Sequence, residues 1–273
     1  MLTQTWIYDA ILYIYALSLL FYFSDFASAN RSAKRIGTGL LVFVWILQTA
    51  FFVMQLGSLR SFSAYETLFF YSWMLVTVSL LVSRFARIEL FVFFVNLVGF
   101  AVLALNFFSK PGAVPTLEGW HITDELLFIH VSLAIASYTA FLAAAIFSGM
   151  YLFLHRKLKD KKWGGRMKRL PSLETMDQYA WTTVLTGFPL LMLALALGLA
   201  WLVLQGSDHL LLDPKVLSSL VLLAVYAAVI VSRSAFQASR QTLAKWILAA
   251  FVLVLINFLL SNWLSGFHQW IWM

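Results

Sequence analysis

Four of the five histidines in this chain lie at or near the ends of long apolar segments: His121, His130, His209 and His268. The fifth, His155, begins a basic segment. An ionisable side chain at the boundary of an apolar segment is a candidate for function, because the imidazole can bind a metal or relay a proton. Each histidine taken alone is more typical of an interfacial hydrogen-bonding residue. A pair of such histidines favours a binding function more strongly than one histidine does.

His130 and His268 are the pair whose positions favour metal chemistry. His130 lies about seven residues inside its segment, which is roughly 10 Å below the start of a helix. His268 follows the last apolar segment and has Trp263, Trp270 and Trp272 close by. Two imidazoles walled by aromatic rings favour bis-histidine ligation of a haem iron, since the apolar macrocycle also gains by leaving water. Zinc is the alternative metal, although the chain has no cysteine to supply such a site.

The segment 201–215, WLVLQGSDHLLLDPK, is a short polar break between two apolar segments. Asp213 directly before Pro214 predicts a helix start, because the carboxylate can cap free N–H groups and proline suits the first helical position. Gly206 predicts the end of the preceding helix. Lys215 is the only basic residue of this break, and we expect its ammonium near a haem propionate.

The composition is that of a membrane protein. Of 273 residues, 62% are hydrophobic and only 11% are charged, against about 45–50% and about 25% in soluble domains. The mean hydropathy is +0.86. The absence of cysteine excludes disulfides, thiolate metal sites and thioether attachment of a cofactor to this chain. The N-terminus has no basic region and no small-residue cleavage site, so we expect the first apolar segment to be retained.

Eight apolar segments have roughly the 20 residues needed to cross about 30 Å of hydrocarbon. We therefore predict an all-α, polytopic integral membrane protein with eight transmembrane helices, in a bacterial plasma membrane. The predicted spans are 6–24, 38–56, 64–83, 88–108, 125–154, 181–204, 216–232 and 243–264.

The basic residues assign the orientation of these spans. Sixteen of the nineteen lysines and arginines fall in the connections after the first, third, fifth and seventh spans. The other three, Arg60, Lys110 and Lys215, fall in the connections after the second, fourth and sixth spans. The positive-inside rule places the sixteen in the cytoplasm and both termini outside. The connection at 155–169 holds eight of them, and is typical of an orientation signal beside anionic headgroups, with a docking surface for a cytoplasmic partner as the alternative.

The single membrane domain 1–273 divides by character into a four-helix part at 1–121 and a four-helix core at 122–273 that carries the polar features. The stretch 172–181, SLETMDQYAW, is amphipathic, and we expect it to lie along the cytoplasmic interface before the sixth span. Asn96 and Asn257 fall within spans and predict hydrogen bonds between helices.

Several motifs in fixed order resemble those of a known family. They are IHVSLAIASYTAF at 129–141, LPSLETMDQYAW at 170–181, GLAWLVLQGSDHLLLDPK at 198–215 and the terminal FH at 267–268. This order resembles the CcsA/CcmC/CcmF superfamily of haem-handling membrane proteins of cytochrome c assembly, and looks closest to its shorter HemX-type members. The similarity covers about residues 120–270. It implies non-covalent haem b, ligated by His130 and His268, with the loop 201–215 beneath the porphyrin.

The loop departs from the family pattern. It keeps Trp201, Gly206 and the sequence Asp213-Pro214-Lys215. Gln205 replaces the family's tryptophan before Gly206, the segment 210–212 lacks its W-x-W, and Val216 replaces its final glutamate. Because the loop lacks these indole rings, it offers less surface for stacking. This difference argues against an apocytochrome partner more strongly than it argues against haem binding.

Three functions remain open at this point. The first is haem handling in cytochrome c assembly, with assembly proteins as partners. The second, implied by the HemX-type resemblance, is a membrane regulator of tetrapyrrole synthesis that affects glutamyl-tRNA reductase. The third is a carrier or scaffold in the bilayer without haem. We expect no enzyme activity beyond assisting haem delivery, because no nucleophile has a triad and no paired carboxylates face a pocket, and we expect no nucleic-acid partner.

Overall fold

Eight α-helices make up the computed structural model of the chain, which describes residues 2–28, 30–56, 64–85, 89–108, 122–161, 170–204 and 212–264. The all-α class is therefore confirmed, and each helix overlaps one predicted span. The helices are α1 Leu2–Ser28, α2 Arg31–Leu56, α3 Ala64–Phe85, α4 Glu89–Phe108, α5 Ile122–Lys159, α6 Leu173–Leu204, α7 Pro214–Ser234 and α8 Arg240–Leu264.

Six of the helices contain stretches that are long and apolar enough to cross a membrane. Their lengths run from 19 to 34 residues, and α3 and α4 contain the shorter apolar stretches Leu68–Arg84 and Glu89–Ala104. Large apolar side chains such as Leu20, Phe23 and Val53 are exposed. Lipid is the solvent that suits such a surface, because soluble proteins expose few large apolar patches. The count of eight spans and the outer location of both termini stay predictions.

The chain forms two compact units, Met1–Glu118 and Gly119–Met273. In the first unit, a polar chain joins three helices: Tyr15 donates to Asn96 Oδ1 (2.9 Å), and Asn96 Nδ2 donates to Ser79 (2.8 Å). The predicted bond of Asn96 across helices is confirmed. Two tryptophans also hold α2 to α3, since Trp45 and Trp73 each donate to a threonine of the other helix at 2.9 Å.

In the second unit, α5 and α6 share the most extensive interface. Buried residues of α6 recur three or four positions apart, as on the packed face of a helix. Ser137 of α5 donates to the carbonyl of Gly187 (2.8 Å), and Phe147 packs against Tyr179. We call this interface the α5–α6 seam; on α6 it includes Tyr179, Gly187, Ala194 and Gly198.

The first turns of α6 belong to the same helix as its apolar part. Met176, Asp177 and Ala180 are buried, and the helix runs from Leu173 to Leu204 without a break. Residues 173–181 are therefore not a separate helix, and the location of this stretch along the cytoplasmic interface stays a prediction.

The helices α7 and α8 complete the second unit. Tyr226 of α7 stacks on Phe141 of α5, with ring centroids 3.6 Å apart. At the other end of α7, Arg233 forms a bidentate pair with Asp177 of α6 at 2.9 and 3.0 Å and lies over the ring of Trp181. These contacts fix α7 against both helices of the seam.

Candidate functional site

The imidazole of His130 lies against α6. Its Nδ1 is 2.6 Å from the carbonyl oxygen of Ala194. A carbonyl oxygen can only accept a hydrogen bond, so Nδ1 is the donor and carries the ring proton. The neutral ring then has its lone pair on Nε2, which is the nitrogen that a metal would bind.

Gly198 provides the space that this ring occupies. A Cβ atom on Gly198 would lie 2.7 Å from Cε1 and 2.8 Å from Nδ1 of His130. Both distances are shorter than a carbon atom tolerates, so the ring could not keep its place beside any other residue. Ala194 and Gly198 are four positions apart and therefore lie on one face of α6, one turn after the other.

Asp213 caps α7 as the sequence predicts. Its Oδ1 accepts a hydrogen bond from the backbone N–H of Lys215 at 2.8 Å, and Pro214 occupies the first turn. The cap fixes the direction in which Lys215 leaves the helix. The Lys215 ammonium donates to the backbone carbonyl of Asn257 in α8 at 3.0 Å.

Asn257 is the centre of a buried polar cluster. Its Oδ1 accepts from Ser218 at 2.7 Å, and its Nδ2 donates to Tyr138 at 3.1 Å and to Ser219 at 3.2 Å. The amide thus joins α5, α7 and α8, which confirms the prediction that Asn257 bonds across helices. With Lys215, these residues form what we call the Asn257 cluster.

Two of the predicted site residues belong to two helices of the second unit: His130 lies in α5, and Lys215 lies in the first turn of α7. The positive charge of Lys215 suits an anionic group on a ligand, such as a carboxylate.

Trp201 is helical. It lies in the last turn of α6, three residues after Gly198, and the helix continues to Leu204. The predicted span 181–204 is thus confirmed at this end, and the placement of Trp201 beneath a porphyrin stays a prediction. The predicted residues Gly206, His121, His209 and His268 lie outside the described residues.

Within the described ranges, no three histidine or acidic side chains gather into a group that could hold a metal ion. Of the two predicted iron ligands, His130 lies in those ranges and His268 does not. His155 is at the other end of α5, where its ring stacks on Tyr151 with centroids 5.9 Å apart.

Several residues of this site were not singled out from the sequence: Ala194, Gly198, Tyr138, Ser218 and Ser219. A backbone carbonyl carries no sequence signal. Gly198 did carry one, because Gly187, Ala194 and Gly198 are small residues seven and four positions apart, a spacing that places them on one face of α6.

Apolar helices long enough to span a bilayer, with polar side chains enclosed between them, define a multi-pass α-helical membrane protein. Residues 61–268 match the family described as cytochrome C assembly protein. The chain belongs to this family, as a HemX-type member.

Three relatives support this placement. The chain is 43% identical to Protein HemX of Brevibacillus brevis, with 97% of this chain and 98% of that protein covered. It is 38% identical to Protein HemX of Bacillus subtilis (strain 168), with 93% and 94% covered. It is 25% identical to the cytochrome c biogenesis protein CcsA of Gloeobacter violaceus (strain ATCC 29082 / PCC 7421), with 86% and 83% covered.

Proposed function

We propose that this protein binds haem b without a covalent bond on the outer face of the membrane, where His130 and His268 would hold the iron, and that it handles this haem in cytochrome c assembly. The observation that carries the proposal is the hydrogen bond from His130 Nδ1 to the Ala194 carbonyl at 2.6 Å. Histidines that bind metals typically donate their other ring N–H to a backbone carbonyl or carboxylate. The tautomer of His130 thus leaves the lone pair of Nε2 available to iron.

The neighbouring residues fit the periphery of a haem. Lys215, in the first turn of α7, supplies an ammonium that would bind a propionate. Asp213 holds the backbone from which Lys215 projects. Trp201 contributes an aromatic ring from the last turn of α6. When bound, haem supplies the iron to which the two imidazoles coordinate.

Absorption spectra of purified variants test the proposal. Wild-type protein from haem-replete cells should show a Soret band and the sharp reduced bands of low-spin, bis-histidine haem. His130→Ala and His268→Ala should each lose this spectrum. His155→Ala is the matched control, because His155 is at the opposite end of α5 and should leave the spectrum unchanged. Wild-type protein without a Soret band would contradict haem binding and favour a carrier or scaffold function.

The second candidate function is regulation of tetrapyrrole synthesis through glutamyl-tRNA reductase. The two HemX relatives match this chain over nearly its whole length, and the HemX-type resemblance implies this role. The basic segment 155–169 offers a cytoplasmic surface for such a partner.

Charge neutralisation separates the two functions. Replacing Lys157, Lys159, Lys161 and Lys162 by glutamine should change the cellular abundance of the reductase and leave the haem spectrum intact if the protein acts as a regulator. An unchanged abundance with an intact haem spectrum would contradict that role for the basic segment. Both functions could operate together, with bound haem as the signal.

A further inference from the structure

One face of α6 holds the His130 ring from two sides. The Ala194 carbonyl accepts the Nδ1 proton, and Gly198 lies against the plane of the ring at Cε1 and Nδ1. In an α-helix the N–H of residue i bonds to the carbonyl of residue i−4, so the N–H of Gly198 is directed at this same Ala194 carbonyl. A carbonyl oxygen has two lone pairs and can accept from the helix and the imidazole together.

From this geometry we infer that α6 positions His130 for iron: the Ala194 carbonyl selects the tautomer, and Gly198 fixes the plane and depth of the ring. Gly198 is thus a positioning residue, and the backbone of α6 determines which nitrogen faces the metal. This inference rests on the proposed haem site.

The physical reason lies in the close approach of two helices. A ring that bonds to a carbonyl of the facing helix must lie almost on the surface of that helix. Any Cβ at position 198 would occupy the space of Cε1 and Nδ1, so the imidazole must rotate or withdraw. Either movement lengthens the 2.6 Å hydrogen bond and turns Nε2 away from its present direction. Loss of such outer-shell partners typically costs about 10- to 100-fold in metal affinity.

Gly198→Ala tests the inference, and two other glycines supply matched controls. Gly187→Ala would place a Cβ 2.7 Å from Phe141 Cε1, so it perturbs the same α5–α6 seam without contact to His130. Gly149→Ala, in α5, meets no atom within 4 Å and reports only the effect of adding a methyl group to a helix of this unit.

The first measurement uses protein without haem. Nitrogen NMR of the histidine side chains, with His130 assigned by its loss in His130→Asn, should show the Nδ1-protonated tautomer in wild-type protein in nanodiscs. Gly198→Ala should lose this preference, whereas Gly187→Ala and Gly149→Ala should keep it. The result does not depend on haem loading or on activity, and the Gly187 control removes general damage to the seam as an explanation.

The second measurement uses haem. Gly198→Ala should weaken haem binding about 10- to 100-fold or shift the Soret band away from that of bis-histidine ligation, while both control variants keep the wild-type spectrum. If wild-type protein binds haem through His130 and Gly198→Ala changes neither tautomer nor spectrum, the inference is wrong and the proposed function stands. Wild-type protein without haem would overturn both.

Discussion

At the scale of single residues, Asn257 is the side chain through which three helices of the second unit share hydrogen bonds. Its amide accepts from Ser218 and donates to Tyr138 and Ser219, and the residue is 3% exposed. The apolar surroundings offer these groups no water, so the bonds are retained as long as the helices stay together. The amide thus specifies how α5, α7 and α8 align.

Asn257→Leu should destabilise the protein, because it removes three hydrogen bonds and leaves the hydroxyls of the cluster without the amide. Bonds between helices in membranes contribute about 0.6 kcal/mol each and at most about 1.7, so we expect a loss of about 1–2 kcal/mol. Unfolding in mixed detergent measures it. Leu255→Val, an exposed position of the same helix, is the control and should change stability by much less. Equal stability of the two variants would contradict the role assigned to the amide.

Asp213 has a separable role as a helix cap. Asp213→Ala should cost about 1 kcal/mol, since the backbone N–H of Lys215 loses its acceptor. Asp213→Asn keeps a capping oxygen and removes only the charge beside Lys215, so it should be close to wild type in thermal unfolding. Equal destabilisation by both substitutions would show that the charge, and not the cap, is what α7 requires.

Some residue roles could be predicted from the sequence, and others could not. Asp213-Pro214 is a local signal, because a cap and its helix lie within three residues, and this prediction is confirmed. The environment of His130 is not local: Ala194 lies 64 residues away, and the contact depends on the rotation of α6. A buried asparagine predicts a partner, but Tyr138, 119 residues away, could be named only from the packed helices.

At the scale of elements, α6 is the helix that organises the second unit. One end presents Ala194 and Gly198 to His130, and the other end presents Asp177 to α7 and α8. The bounds of the helices follow the apolar segments closely except at the starts of α2 and α6, because a bilayer-spanning helix satisfies its own backbone hydrogen bonds. The stretch 172–181 includes Asp177, which is buried and paired with Arg233 of α7. Hydropathy alone does not identify such a pair.

The two arginines beside Asp177 should differ in their contribution to stability. Arg233 makes two hydrogen bonds to Asp177, and its side chain is 24% exposed. Arg240 lies 3.6 Å from the same carboxylate, and its side chain is 53% exposed. Removing a partner from a buried pair costs about 3–5 kcal/mol, whereas exposed pairs contribute about 0–1 kcal/mol.

Arg233→Ala should therefore cost about 3 kcal/mol, and Arg240→Ala less than about 1 kcal/mol, in the same unfolding assay. Asp177→Asn should resemble Arg233→Ala, because it leaves the guanidinium without its carboxylate. Similar effects of the two arginine substitutions would show that the pairing of α6 with α7 is not what Arg233 provides.

At the scale of the whole molecule, the distribution of charge predicts the orientation in the membrane. Sixteen basic residues fall on one side of the predicted spans and three on the other. The orientation decides whether His130 faces the outer side of the membrane or the cytoplasm. It therefore bears directly on the proposed function.

Cysteine labelling tests the orientation without further engineering, because the chain has no cysteine of its own. A membrane-impermeant maleimide should label Ser207→Cys in intact cells, since the predicted topology places this position outside. Lys161→Cys should react only after the cells are made permeable, because the same topology predicts that segment 155–169 is cytoplasmic. The reverse pattern would place both termini and His130 on the cytoplasmic side.

Electron paramagnetic resonance of the purified, oxidised wild-type protein tests most directly whether two imidazoles hold one iron. The proposed ligation by His130 and His268 predicts a low-spin ferric signal with the g-values of bis-imidazole haem, replaced by a high-spin signal or lost in His130→Ala and unchanged in His155→Ala. A wild-type sample with only high-spin or non-haem iron, or a low-spin signal that persists in His130→Ala, would contradict it.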